Sequence, residues 1–431
     1  MKYDHDLNRL LSAVDEIEVV TLTKDIGLYN KYGNLNTNSD AFGRQRISQP
    51  HTIFDSNYRY GDNYEKWSSN VTGNASTSFS SNQAAVIMTV GHESGAEVIR
   101  ESRRVLGYQP GKSLLGMHSF VLSPAKDNLR QRVGQFSNVS DGTGNGIYFE
   151  LEGNTAYLVK RSTANNTLTN TRVAQSQWNI NKLDGTDQNK QTIDFTKSQL
   201  FFIDYQWLGV GSVRCGFAIE GQEIITHIFH HSNHESNVYM STGSLPCRLE
   251  IRNIGQTTSA SSMQHICDTV LSEGGYNQFG LTRSASTAIT GKNLINTLVN
   301  PIISIRLRST RTESVVLPDE VSFYGIQDTA FKYSIYRDTT LNNASWQSGS
   351  ANSSVEYDTT ADSFTGGVKI REGIFSGKNN FSISLQNIYA HEIQLSRNIN
   401  ATTGNILTIA VEPTTNNDDV VAGINWIEHS S

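Results

Sequence analysis

The chain has 431 residues, of which 37% are hydrophobic, and its mean hydropathy is −0.40. Its 35 basic and 41 acidic residues give a net charge of −6, which argues against a nucleic-acid binder that works through a broad basic surface. The sequence has no apolar run long enough to span a membrane, and its acidic N-terminus lacks the apolar core of a signal peptide. The length predicts two or three domains. Three widely spaced cysteines predict buried, reduced thiols in a chain made in a reducing cytoplasm.

Residues 4–18 give the best helix prediction in the chain. Apolar side chains recur there at helical spacing with polar residues between them, at Leu7, Leu10, Leu11, Val14 and Ile17. We expect such an amphipathic helix to dock on its own protein body or on a neighbouring subunit. Residues 23–40 are polar and are expected to form an exposed arm, so residues 1–40 are assigned to an N-terminal helix and arm.

The stretch GYQPGKS at residues 107–113 ends in the Gly-Lys-Ser of a nucleotide-binding phosphate loop. The spacing G-x-x-x-x-G-K-[ST] requires a glycine at position 106, which is Leu106, and Pro110 removes one backbone N–H that a phosphate would need. The residues that follow alternate as in a strand, whereas a phosphate loop precedes a helix. We therefore predict a Pro-Gly turn that enters a strand and no nucleotide cofactor.

Short strand-like segments dominate residues 41–275. AAVIMTVG, GIYFELEG, NTAYLVKRS, QLFFIDYQWLG, GSVRCGFAIEG and QEIITHIFHHS follow one another and are separated by Gly, Asn and Asp turns. Two pairs of them have the spacing of hairpins, and alternation in the second pair places Val213, Cys215, Phe217 and Ile219 on one face. This pattern predicts an all-β fold whose first domain is an antiparallel β-sandwich of jelly-roll type.

Residues 276–300 lose the alternating pattern and are predicted to form a linker. A second β-rich domain is predicted over residues 301–431. Its strand candidates are PIISIRLRS, FKYSIYRD, SFTGGVKIREGIF, NFSISLQNI and NILTIAVEP.

Four histidines, His227, His230, His231 and His234, form the densest group of candidate metal ligands. The zinc-protease pattern H-E-x-x-H is absent, because no glutamate follows the first histidine. On a strand, His227 and His231 would share one face while His230 lies on the other. We therefore favour a strand end with ordinary polar histidines over a metal site.

Other candidate sites give weaker signals. Asp184 and Asp187, and Asp418 and Asp419, lie in segments that read as loops, but neither pair has the spacing of an EF-hand calcium site. Paired carboxylates for glycoside hydrolysis must be recognised by their separation in space. Candidates such as Glu150 and Asp204 are interpreted as solvent-facing strand residues.

Aromatic residues cluster in two stretches, and we favour a core or a subunit interface over a sugar-binding face for them. The residues are Tyr58, Tyr60, Tyr64, Trp67, Phe201, Phe202, Tyr205 and Trp207.

The stretch DAFGRQRISQPHTIFDS, from Asp40 to Ser56, resembles the hallmark of a family of tailed-bacteriophage virion structural proteins found in marine and freshwater phages. That hallmark reads Asp-Ala-Phe-Gly-Arg-x-Arg-x-Ser, followed by Phe-Asp-Ser. The resemblance continues through ESRRVLGYQPGKS, NGIYFELEGN, WNINKLDGT and HICDTVLSEGG, and so covers roughly residues 40–275. It implies a virion component without catalysis, from which no catalytic or ligand residue can be carried over. We expect Arg44, Arg46 and the Phe-Asp-Ser element to make subunit contacts, because arginine suits buried bidentate pairs.

The resemblance favours a non-enzymatic structural protein of the virion, assembled in the host cytoplasm, with a place in the tail, the baseplate or the tail fibres. Such a protein is expected to form a homo-oligomer, to dock on other virion proteins and to need no cofactor or metal. Two alternatives stay open. One is a capsid-decorating protein, and the other is a carbohydrate-binding or depolymerase tail protein that contacts a host surface glycan or receptor.

Overall fold

The computed structural model describes residues 41, 46–47, 49–138, 142–187, 190–277, 279–294, 298–385 and 393–430. Within these ranges the regular secondary structure is almost wholly antiparallel strand, with a single-turn 3-10 helix at Gln175–Gln177. The helix predicted at residues 4–18 and the arm at 23–40 lie outside the described residues. Among the described helical residues, none belongs to a helix long and apolar enough to cross a membrane.

The first domain is a sandwich of two antiparallel sheets, as the alternating pattern predicts. Its strands are β1 (His51–Asn57), β2 (Trp67–Thr72), β3 (Ala75–Ser80), β4 (Ala85–Val90), β5 (Glu97–Ser102), β6 (Ser113–Val121), β7 (Lys126–Phe136), β8 (Gly146–Gly153), β9 (Thr155–Ser162), β10 (Thr169–Ala174), β11 (Gln199–Tyr205), β12 (Val213–Ile219), β13 (Gln222–Phe229), β14 (Cys247–Asn253) and β15 (Ser261–Glu273). Sheet A has the order β13-β12-β11-β6-β15-β4-β3, with β1 also paired to β15, and sheet B has the order β10-β9-β8-β7-β14-β5-β2. Neighbouring strands are often far apart in the chain, as in a jelly roll.

The second domain is a smaller sandwich. Its strands are β16 (Leu281–Ser286), β17 (Lys292–Leu294), β18 (Asn300–Leu307), β19 (Val315–Gly325), β20 (Ala330–Asn342), β21 (Gln347–Ser348), β22 (Val355–Asp358), β23 (Ser363–Ser376), β24 (Phe381–Ser384), β25 (Leu407–Pro413) and β26 (Asp418–Ser430). Sheet C has the order β16-β26-β19-β24, with β17 also beside β26, and sheet D has the order β21-β22-β18-β25-β20-β23.

The prediction of a linker at residues 276–300 is wrong for its described part. Two of these segments, β16 and β17, pair with the last strand, β26, and so belong to the second sandwich. Strand β16 is polar and mostly exposed, so it carries no hydrophobic alternation that could have revealed it. Backbone hydrogen bonding to β26 holds it in place instead.

The core of the first sandwich forms where the inward faces of the two sheets meet. Phe149 of β8 lies at its centre, with ring centroids 4.7 Å from Phe195, 6.0 Å from Phe201 and 5.4 Å from Phe217. The predicted hairpin of β12 and β13 is present, and Glu220 and Gly221 at its tip both have positive φ. A two-residue turn of this kind matches the twist of the strands that it joins.

The two sandwiches touch through the segment at residues 393–397, which precedes β25. The side-chain amide of Gln394 donates to the carbonyl of Val105 over 2.6 Å. An ion pair between Arg103 and Asp338, with 3.2 Å from nitrogen to oxygen, joins the domains nearby. The hydrogen bond from Gln394 and the Arg103–Asp338 ion pair therefore help to hold the two sandwiches together.

Candidate functional site

Arg46, from the hallmark stretch, docks on the outer face of sheet A. Its guanidinium lies 2.6 Å from a carboxylate oxygen of Asp204, 2.7 Å from one of Glu273 and 3.6 Å from one of Glu223. Arg44 lies outside the described residues. The sequence predicts a subunit contact for Arg46. In the structure, Arg46 contacts three acidic side chains of its own chain, and these contacts hold the segment that precedes β1.

The Phe-Asp-Ser element lies in β1 and mostly builds the core. Phe54 is buried and packs edge-on against Trp67, with 5.8 Å between ring centroids. Ser56 is also buried, and its hydroxyl accepts hydrogen bonds from Trp67 Nε1 at 2.8 Å and Asn63 Nδ2 at 3.0 Å. Asp55 faces solvent, since successive residues of a strand point to opposite faces. Of the three residues, Asp55 alone is placed to meet another subunit.

The stretch GYQPGKS forms a turn that leads directly into β6, as the sequence predicts. Gly111 has φ of +85°, and the turn is followed by a strand, where a phosphate loop would have a helix. Lys112 Nζ donates to the carbonyl of Gly275 over 2.9 Å, and the side chain of Gln109 exchanges two hydrogen bonds with the backbone of Asn277. The turn therefore anchors the chain where it leaves the first sandwich.

A line of alternating charges crosses the outer face of sheet B, and we call it the ionic chain. Its nitrogen-to-oxygen contacts are Arg172–Glu150 (2.6 Å), Glu150–Arg132 (2.6 Å), Arg132–Glu250 (3.2 Å), Glu250–Arg248 (2.7 Å), Arg248–Glu101 (2.5 Å) and Glu101–Arg397 (3.1 Å). The line runs through β10, β8, β7, β14 and β5 and ends on the segment of the second domain that contacts the first. It therefore ties five strands and both sandwiches together.

Aromatic rings lie beneath the arginines of the ionic chain. Arg132 lies over the ring of Tyr148 at 5.2 Å and Arg248 over that of Phe136 at 5.6 Å, while Arg161 lies over both rings. Stacking of this kind suits guanidinium groups and limits their hydration. Burial alone would raise the pKa of Glu250, but Arg248 and Arg132 outweigh it and hold that pKa below its usual range.

Glu150 and Asp204 do not face solvent, contrary to the sequence interpretation. Both are almost fully buried, because Glu150 contacts Arg132 and Arg172 while Asp204 contacts Arg46. Glu150 alternates with core residues of sheet B and Asp204 with core residues of sheet A, so the two carboxylates lie on opposite outer faces of the sandwich. They therefore do not form a hydrolytic pair, which must flank a single bond.

The four candidate histidines are divided between the interior and the surface. Burial lowers the pKa of His227 to about 4, and His231 is shifted likewise to about 4. The ring of His231 stacks on Tyr239 with 3.9 Å between centroids, whereas His230 and His234 are exposed. Strand β13 ends at Phe229, so the last three histidines lie in the turn beyond it.

The four aspartates considered for calcium all accept hydrogen bonds from groups of the same chain. Asp184 accepts hydrogen bonds from the backbone and hydroxyl of Thr186, which lower the pKa of Asp184. Asp418 is not in a loop but is the buried first residue of β26, and it accepts from Thr329 over 2.8 Å. Asp187 and Asp419 also accept hydrogen bonds from within the chain.

Most of the aromatic side chains in the two predicted clusters lie in the interior. Tyr58, Trp67, Phe201, Phe202 and Tyr205 are buried. Two others, Tyr60 and Tyr64, are 86% and 57% exposed. Trp207 is half-buried and lines a cleft between the sandwiches.

This cleft, which we call the seam cleft, has a volume of about 880 Å³. Tyr108 and Trp207 of the first sandwich line one side, and Thr310, Arg311 and Glu313 of the second domain line the other. The rings of Tyr108 and Trp207 meet edge-on, with centroids 5.9 Å apart.

The ionic chain could not be recognised from the sequence, although part of its pattern is visible there. In RLEIRN of β14, Arg248 and Glu250 alternate with Leu249 and Ile251, which is the pattern of a strand with one charged face. Such a pattern usually indicates a solvated face, so it does not reveal that neighbouring strands carry complementary charges.

Neither a protein-family model nor a curated protein matches the sequence. Among solved structures, a Bacillus licheniformis beta-glucanase is 11% identical, with a TM-score of 0.35 over 50% of this chain and 96% of its own. A glycoside hydrolase family 16 endo-glucanase from Bacteroides ovatus is 8% identical, with a TM-score of 0.34 over 51% and 99%. A legume lectin-like domain from Entamoeba histolytica is 11% identical, with a TM-score of 0.32 over 51% and 96%. Similarity at this level carries no information about activity.

Proposed function

We propose that this protein is a non-enzymatic structural component of a tailed-phage virion, with a place in the tail, the baseplate or the tail fibres. The observation that carries the proposal is that four buried carboxylates of the first domain are tied up in ion pairs with arginines. Glu101, Glu150, Glu250 and Asp204 are each held by arginines of the same chain. A general acid needs a raised pKa and access to substrate, whereas the pKa of Glu250 is lowered. These ion pairs serve a rigid two-domain building block.

Surface side chains near the hallmark stretch support assembly with other proteins. Ile47 is 88% exposed and Tyr60 is 86% exposed, and Tyr64 lies four residues further along the chain. Large apolar side chains of this kind are common in protein interfaces, where tyrosine is enriched. We therefore assign contacts between subunits to this part of the first domain.

Quantitative mass spectrometry of purified virions tests the proposal by scaling this chain to the major capsid protein. A ratio of a few per hundred capsid subunits supports a place in the tail. A ratio near one supports the alternative of a capsid-decorating protein. If the chain is made in infected cells but is absent from purified particles, the virion proposal is wrong.

The seam cleft favours one second candidate, a carbohydrate-binding role. Its size is that of a ligand site, and Tyr108 and Trp207 offer aromatic surface beside hydroxyl groups such as that of Thr310. Titration of the purified protein with host polysaccharide fragments tests this role, with Arg311→Ala as the cleft variant. Binding that Arg311→Ala does not change would place any glycan elsewhere. A release of reducing sugar would contradict the non-enzymatic assignment.

A further inference from the structure

A small cavity between the two sandwiches has a mostly cationic lining, and we call it the interdomain pocket. Its volume is about 90 Å³. Lys66, Arg103 and Arg104 of the first domain line it together with Arg337, which lies on β20 of the second domain. Among the described residues of the lining, Glu65 is the one carboxylate, so four positive charges stand against one negative charge. A cavity with such a lining attracts anions.

Arg103 and Arg337 use only part of their guanidinium groups within the protein. Nε of Arg103 donates to the carbonyl of Tyr64 over 2.7 Å, and its Nη1 lies 3.2 Å from a carboxylate oxygen of Asp338. Nη2 of Arg337 lies 3.3 Å from a carboxylate oxygen of Glu65. A guanidinium group carries five N–H donors, so Nη2 of Arg103 and Nη1 of Arg337 remain for an acceptor that the described residues do not supply.

Lys66 and Ser396, which line the pocket from opposite domains, add two further donors. Nζ of Lys66 donates to the carbonyl of Asp55 over 2.8 Å and lies 3.3 Å from Oδ1 of the same residue, so one of its three protons is left over. The hydroxyl of Ser396 accepts a hydrogen bond from Asn405 Nδ2 over 2.9 Å, which leaves its own proton to donate. Each sandwich therefore contributes donors to the pocket.

We propose that the interdomain pocket binds one tetrahedral oxyanion, free phosphate or sulfate, which holds the two domains together. Arginine and lysine form strong charge-assisted hydrogen bonds with such ions, and the ion offsets the repulsion between the cations. Asp55 and Asp338 contact Lys66 and Arg103, but even with them the four cations outnumber three carboxylates. The volume is far below the roughly 300 Å³ of the smaller sites for drug-sized ligands, so the pocket suits a free ion better than a phosphate group on a larger molecule. The site is independent of the function proposed above.

Titration calorimetry of the full chain with sodium phosphate, and separately with sodium sulfate, tests the proposal when sodium chloride keeps the ionic strength constant. We expect saturable binding of about one ion per chain and a Tm that rises with the concentration of that ion. Phenyl phosphate carries the same anion on a ring and should raise Tm less, and an equal rise would contradict the assignment of a free ion. If phosphate, sulfate and chloride all change Tm equally, bulk salt explains the effect and the proposal is wrong.

Two lysine variants separate this site from binding elsewhere on the surface. Lys66→Met removes one cation of the pocket and should weaken ion binding at least about tenfold, because it removes a hydrogen bond to a charged group. Lys332→Met is the matched control, since it removes the same charge from an exposed pair with Glu412 and should leave the affinity unchanged. If Lys66→Met does not fold, Ser396→Ala keeps every charge of the pocket and should weaken binding severalfold. Wild-type affinity in the pocket variant, or an equal loss in the control, overturns the proposal.

Discussion

Glu250 occupies the middle of the ionic chain, and its replacement by glutamine tests whether that chain stabilises the fold. The variant keeps the side-chain shape but removes the charge shared by Arg132 and Arg248. Removing one partner of a buried ion pair costs about 3–5 kcal/mol. In the variant, Arg132 still contacts Glu150 and Arg248 still contacts Glu101. We therefore expect a loss of unfolding free energy at the lower end of this range, about 3 kcal/mol.

Urea denaturation followed by circular dichroism measures this loss, which should lower the midpoint by about 1 M. The control is Lys369→Met, which breaks an exposed ion pair with Glu372 and should leave the urea midpoint almost unchanged. Because the pKa of Glu250 is lowered by folding, its contribution is full above the ordinary glutamate pKa and is lost as pH falls. The gap between wild type and Glu250→Gln should therefore narrow below about pH 4.3. Equal midpoints for Glu250→Gln and the control would refute this account.

Three further predictions concern the first domain. Arg46→Ala removes the cation that three carboxylates contact, so it should lower the free energy of unfolding by about 2–3 kcal/mol. It should also speed limited proteolysis of the segment before β1. An unchanged cleavage rate would contradict the docking of this segment on sheet A. Gly243→Ala would place the new Cβ 2.6 Å from Cβ of Trp207, so it should lower the free energy of unfolding by about 1–3 kcal/mol. Urea denaturation measures this loss, and an unchanged midpoint would argue against the close packing of Gly243 on Trp207. Burial lowers the pKa values of His227 and His231 to about 4 in the folded chain, so the unfolded chain takes up protons at a higher pH than the folded chain does. The urea midpoint should therefore decrease as the pH is lowered from about 6.5 to about 4. A midpoint that stays constant across this pH window would be inconsistent with buried neutral rings.

Strands with one apolar face could be predicted from the sequence because the core of a sandwich selects every second residue. Val213, Cys215 and Phe217 show this, since all three are buried between the sheets. The turn before β6 could also be predicted, because Leu106 and Pro110 break the phosphate-loop pattern. In both cases the residues that permit the prediction lie within a few positions of one another in the sequence.

What could not be predicted depends on partners that are distant in the chain. Strand β16 is a strand because β26 lies beside it, although the two are more than a hundred residues apart. Glu150 resembles a solvated residue until Arg132 and Arg172 are placed on either side of it.

The ionic chain also has a consequence for strand register. A slip of β14 by one residue between β5 and β7 would turn Arg248 and Glu250 into the apolar layer and bring Leu249 and Ile251 to the charged face. An ordinary polar face would tolerate such a slip more readily, because water can solvate any arrangement of charges. Here each carboxylate meets its arginines in one alignment only. The outer face of sheet B therefore selects the correct alignment of its strands during folding, as the hydrophobic core does from the other side.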